Sequence, residues 1–134
     1  MAYAQWVEIR IYSENMTLTV KNVVQSWGKF YKKGNKDDEI SKDKIEGLKI
    51  DYDSNVTICS CGRSNSWSGT EGSFELYDGS VLVGKYYWDC PWGSKDNKSD
   101  WTAEKNKNYE TSIEGGNLDS GAIGNVYLTC IKIN

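Results

Sequence analysis

Apolar and polar residues alternate with period two through much of the chain. In residues 6–12, Val7, Ile9 and Ile11 alternate with Trp6, Glu8, Arg10 and Tyr12. Side chains of a strand point to opposite faces in turn, so this spacing gives one buried face and one wet face. Residues 17–21, 56–60 and 74–77 repeat the pattern, and 126–133 is its longest run. Turn signals separate these runs. Asp78-Gly79 lies between 74–77 and 81–87 and predicts a short hairpin. Gly115-Gly116-Asn117 and Asp119-Ser120-Gly121 mark turns around the last strand. Lys32 to Asp38 reads as a solvated, charged connection. With 13 glycines and one proline, turns fall to Gly, Asn and Asp. Helix signals are weak, and Gly47 holds residues 42–48 to about one turn. The expected fold is all-β: a two-sheet antiparallel β-sandwich, as a single domain over residues 1–134.

Several function classes lose support at once. Histidine is absent, which removes the commonest general base and the commonest metal ligand. The adjacent acids Asp37, Asp38 and Glu39 sit in a lysine-rich stretch and read as solvated charge. The chain is therefore expected not to be an enzyme. Its net charge of −3 does not suit nucleic acid or anionic lipid, both of which reward clustered Lys and Arg. A neutral or zwitterionic surface stays open. No apolar run is long enough for a membrane-spanning helix. Residues 1–6 have neither a basic region nor an apolar core, so release without a signal peptide is expected. Cys59 and Cys61 fall on one strand face at a spacing that differs from a zinc knuckle. With Cys90 and Cys130 they are expected to be small buried thiols, with no metal and no cofactor.

The aromatic load needs a separate explanation. Six tryptophans and nine tyrosines accompany only two phenylalanines. Rings with a polar handle suit the boundary between apolar and wet regions. Trp6 falls on the face of its strand opposite Val7, Ile9 and Ile11. Trp27 precedes Gly28, Trp67 lies among serines and Gly69, and Trp92 stands between Pro91 and Gly93. Large rings in such settings point to a contact surface. Trp88 ends the strand-like run 81–88 and is assigned to the core, while Trp101 fits either role. The surface could take carbohydrate, a protein partner or a membrane. Trp92, Gly93, Ser94 and Lys95 bring a ring, a flexible backbone, a hydroxyl and a cation into one turn. A ring attracts a substituted ammonium, and a cation with backbone N–H groups holds a phosphate.

These residues resemble the aegerolysin family. The resemblance rests on Ala2-Tyr3-Ala4-Gln5-Trp6, Ser26-Trp27-Gly28-Lys29, Lys36-Asp37-Asp38-Glu39-Ile40, Cys61-Gly62-Arg63-Ser64, Gly69-Thr70-Glu71-Gly72, Gly121-Ala122-Ile123-Gly124 and, above all, Trp88-Asp89-Cys90-Pro91-Trp92-Gly93-Ser94-Lys95. It implies a β-sandwich that binds sphingolipid membranes at the outer surface of target cells. The lipid is either ceramide phosphoethanolamine or sphingomyelin with cholesterol. It also implies a perforin-like or other toxin partner protein, and no enzymatic work. Membrane-facing tryptophans of the family fall on Trp6, Trp27 and Trp92, and the headgroup lysine on Lys95. Trp67-Ser68 replaces small and acidic residues of some fungal members, and Glu71, read as part of the same loop, is expected to supply the carboxylate. Cys59 and Cys130 add to the commoner Cys61 and Cys90. The richness in Lys, Asn and Ile, with Arg10 and Arg63 the only arginines, points to an AT-rich bacterial source. Some bacterial relatives are tied to insecticidal toxin systems. The alternative reading is a lectin-like module that stacks sugar on Trp67 or Trp92.

Overall fold

The computed structural model describes residues 2–133. The strands are β1 Trp6–Glu14, β2 Leu18–Trp27, β3 Lys29–Lys32, β4 Asn35–Ile40, β5 Lys49–Ile50, β6 Ser54–Cys61, β7 Thr70–Asp78, β8 Val81–Cys90, β9 Lys98–Ala103, β10 Tyr109–Gly115 and β11 Gly124–Lys132. A single helical turn, α1 Lys42–Ile45, joins β4 to β5. The strands form two sheets, ordered β10-β11-β1-β6-β3-β4 and β5-β2-β7-β8-β9. The expected two-sheet sandwich is what the chain builds. Its ladders are antiparallel except that of β1 with β11, which is parallel from Val7 opposite Gly124 to Glu14 opposite Ile131.

The alternation carries the core. Val7, Ile9 and Ile11 of β1, Leu18 and Val20 of β2, and Val126, Leu128 and Cys130 of β11 are all buried. An aromatic group fills the middle. Trp88 packs with Phe30, Phe74 and Tyr86 at centroid separations of 6.0, 6.2 and 6.1 Å. The Trp88 indole N–H donates to Thr70 Oγ1 at 2.9 Å. That hydroxyl lies 2.6 Å from Ser60 Oγ, which donates to the Lys29 carbonyl at 2.9 Å. The buried polar end of the ring is thus satisfied through to the opposite sheet.

Three segments differ from the sequence reading. The first is the connection over 32–38, which is instead a hairpin. Lys33-Gly34 makes its turn, and Gly34 has φ +89°. Its second strand, β4, is a charged edge strand that buries none of its residues, so no alternation marks it. The second is β2, which continues beyond Lys21 through a bulge at Asn22, φ +54°. The Glu46 carboxylate accepts the Asn22 and Val23 backbone N–H groups at 3.0 and 2.8 Å. The extra residue reverses the phase, so Val23 is buried where the unbroken pattern would bury Asn22. The third is the β7–β8 turn, which is Gly79-Ser80, with Asp78 paired to Val81 and Gly79 at φ +60°.

The register brings one set of strand ends together. Trp6 pairs with Cys61, and Val7 with Gly124. Trp27 pairs with Glu71, and Thr70 with Cys90. The end of β2, the loop before β7, the loop after β8 and the loop before β11 therefore gather at one end of the sandwich.

Candidate functional site

Close backbone approaches shape that end. A Cβ on Gly69 would overlap the Cys90 carbonyl oxygen, so only glycine lets the loop before β7 lie against Pro91. Gly28 follows Trp27 with φ +86°, and a Cβ there would overlap the Cys61 carbonyl oxygen. These contacts leave Trp27 and Trp67 projecting, 58% and 66% exposed. Trp92 is partly buried and meets Trp67 edge to face, with centroids 5.2 Å apart.

Between the rings lies a groove of about 350 Å³, lined also by Thr70, Glu71, Asp89 and Lys95. Glu71 and Asp89 are directly opposed across the β7–β8 ladder. Glu71 accepts the Tyr87 hydroxyl. Burial and then the Glu71 charge push the Asp89 carboxyl above its ordinary range, while Lys98 and Lys95 pull it back. Burial and the bond to Glu71 push the Tyr87 hydroxyl up, so it stays a proton donor. Thr70, the buried anchor of Trp88, forms part of the floor. The groove thus brings three tryptophans, two carboxylates and a lysine to one opening. It can seat an ammonium against rings and carboxylates while Lys95 faces a phosphate.

Five of the six predicted site residues line this groove: Trp27, Trp67, Glu71, Trp92 and Lys95. Trp6 does not. It packs with Tyr3 on Tyr31, Cys59 and Cys61, on the outer face of the other sheet. The Lys36 ammonium stands 5.3 Å from the centroid of its ring. It lines a separate depression with Tyr3, Glu8, Tyr31 and Lys36. Glu71 lies in β7 and not in the preceding loop. Sequence reasoning missed Asp89 and Tyr87. The hairpin turn alone would count Glu71 opposite Trp88, and only the bulge after Leu76 brings it opposite Asp89.

Trp88 is buried, as assigned, and Trp101 packs partly buried on the core with its N–H donating to Thr111 Oγ1 at 2.9 Å. All four cysteines are free and buried. Burial pushes the thiols of Cys59 and Cys130 up to about 12 and that of Cys90 to about 11, which keeps them protonated and unreactive near neutral pH.

Fold and groove together define a β-sandwich with an aromatic, mixed-charge groove at one end. The Aegerolysin family profile matches residues 4–133, and the chain belongs to that family. It is similar to Asp-hemolysin of Aspergillus fumigatus, 46% identical over 93% of this chain and 91% of that one. It is similar to Ostreolysin A6 of Pleurotus ostreatus, 42% identical over 98% of both chains. The crystal structure of IP-1A from Alcaligenes faecalis superposes with a TM-score of 0.93 at 47% identity, covering 99% of this chain and 94% of that one.

Proposed function

We propose that this chain docks on the outer surface of target membranes by reading a zwitterionic sphingolipid headgroup in the end groove. The observation that carries this is the grouping of three tryptophans, two carboxylates and Lys95 around one opening. Such a headgroup has an ammonium and a phosphate a few bonds apart, and the groove offers rings and carboxylates for the first and Lys95 for the second. Relatives named as a hemolysin and an ostreolysin support action on membranes. Of the two lipids considered, ceramide phosphoethanolamine suits the site better than sphingomyelin with cholesterol. Its primary ammonium can donate hydrogen bonds to Glu71 and Asp89, whereas a quaternary choline has no N–H to donate. In this reading the chain is the docking half of a bipartite cytolysin, and a perforin-like partner supplies the spanning element.

Vesicle sedimentation tests the lipid claim. Pelleting with ceramide phosphoethanolamine, weaker pelleting with sphingomyelin/cholesterol and none with phosphatidylcholine is the expected order. Glycan-array binding without pelleting on any sphingolipid would instead establish the lectin-like reading. Dye release from the same vesicles, with and without a perforin-like protein, tests the partner.

A further inference from the structure

We propose that the membrane-contacting surface extends beyond the groove to the loop before β11, where Leu118 enters the apolar edge of the bilayer as a second anchor. This rests on the membrane-docking reading above and adds a residue to it.

The loop is tied to the loop that carries Trp92 and Lys95. Asn97, which closes that loop, is 5% exposed. Its backbone N–H donates to the carbonyls of Leu118 and Asp119, at 3.1 and 3.2 Å. Its side-chain Nδ2 donates to the carbonyls of Asn117 and Gly121, at 2.9 and 3.0 Å. The Cys90 thiol donates to the same Gly121 carbonyl at 3.2 Å. The two loops therefore present their surfaces as one unit. The register agrees, since Gly124 at the start of β11 pairs with Val7, beside Trp6 at this end of the sandwich.

The loop is closed by hydrogen bonds that leave the Leu118 side chain largely exposed. Asn117 closes it: Nδ2 donates to the carbonyls of Ser120 and Ala122 at 2.9 and 3.1 Å, and Oδ1 accepts the Asp119 N–H at 3.0 Å. The Asn117 N–H donates to the Ile123 carbonyl at 2.8 Å. These ties are made by backbone groups, asparagine amides and the Cys90 thiol. Leu118, the one large apolar residue among Asn117, Asp119, Ser120 and Gly121, is left 57% exposed. A lone exposed leucine on a protein flank is ordinary. Here it stands on a loop bonded to the tryptophan loop, at the end where Trp27 and Trp67 also project. Polar neighbours around one apolar tip suit a residue that passes the headgroups of a neutral bilayer while its loop stays at their level.

The burial of the four native thiols makes a direct test available. Leu118→Cys adds one exposed thiol, which takes an environment-sensitive fluorophore under native conditions. The labelled chain is mixed with ceramide phosphoethanolamine vesicles, binding is scored separately by sedimentation, and depth is read with brominated acyl chains. The expected result is a blue shift and bromine quenching in the pelleted fraction. Leu118→Asn should bind the same vesicles about five- to tenfold more weakly. A pelleted chain whose probe still reports water, together with full affinity of Leu118→Asn, overturns the inference and leaves the docking reading standing. A probe that shifts only when a perforin-like protein is added without lipid assigns the loop to a protein contact and also overturns it. Failure of the unmodified chain to pellet on any sphingolipid vesicle overturns both.

Discussion

Trp88 and Trp92 lie four residues apart in one motif and have opposite surroundings. Trp88 is 1% exposed, packed among three aromatic rings, and its N–H is satisfied by Thr70. Trp92 stands in a turn, touches Trp67 edge to face and lines an open groove with carboxylates and a lysine. The same side chain thus builds the core at one position and the wall of the candidate binding groove at the other. What separates them is the end of β8 at Cys90, where Pro91 cannot continue the ladder. The two regions are also mechanically linked. Thr70 holds Trp88 from below and forms the groove floor above. Stability and recognition should therefore respond separately to the two tryptophans and jointly to Thr70.

The largest effect tests the core side. Trp88→Ala should cost about 3–5 kcal/mol of folding stability, as emptied aromatic sites do. Urea unfolding measures this, and a loss below about 1 kcal/mol would place Trp88 outside the core. Next comes the shared floor. Thr70→Val leaves the buried Trp88 N–H without its partner, at a cost of about 1–3 kcal/mol, while the Ser60 hydroxyl keeps the Lys29 carbonyl. It should also weaken vesicle binding, and unchanged binding would show that floor and groove are independent. Trp92→Ala then tests the rim. Vesicle affinity should fall by more than about 1 kcal/mol, while the unfolding midpoint moves little. A large shift in the midpoint with intact binding would reverse the roles drawn for the two tryptophans.

The smallest effect is a pH dependence. Burial and Glu71 raise the folded-state pKa of Asp89. A carboxyl with a raised pKa favours the fold when protonated, and this contribution is lost as pH rises through the folded pKa. Ligand binding runs the other way, because only the ionised carboxylate attracts an ammonium. Affinity for ceramide phosphoethanolamine should therefore drop as pH falls, starting at a higher pH than an ordinary aspartate would allow. Asp89→Asn should flatten that profile. A wild-type profile already flat across the acid range would remove Asp89 from the headgroup site.

Much of the fold was legible because its inner strands bury one face. The β1, β6, β7, β8 and β11 regions all show as period-two runs or turn-bounded segments. The strands that escaped include three that bury no residue fully, β4, β9 and β10. Of these, β4 is a charged edge. The Asn22 bulge hid the second half of β2 because its holding group, Glu46, is remote in sequence. That placed Trp27 at a strand end instead of in a loop. At the site, residue types in Gly, Ser and Pro settings identified the exposed rings Trp27 and Trp67. Grouping was harder to read. Trp6 matched by motif, yet strand direction sends it to the outer face of the other sheet, under Lys36. Asp89 escaped because it acquires meaning only through its cross-strand partner Glu71.

Whether the rim tryptophans and carboxylates read a zwitterionic sphingolipid headgroup is tested most directly by paired sedimentation of the wild-type chain and Trp92→Ala on vesicles that differ only in headgroup, ceramide phosphoethanolamine against phosphatidylcholine. Headgroup reading predicts strong pelleting of the wild type on the first, none on the second, and a loss for the variant confined to the first. Equal pelleting of both chains on both vesicles, or no pelleting of either, would contradict it.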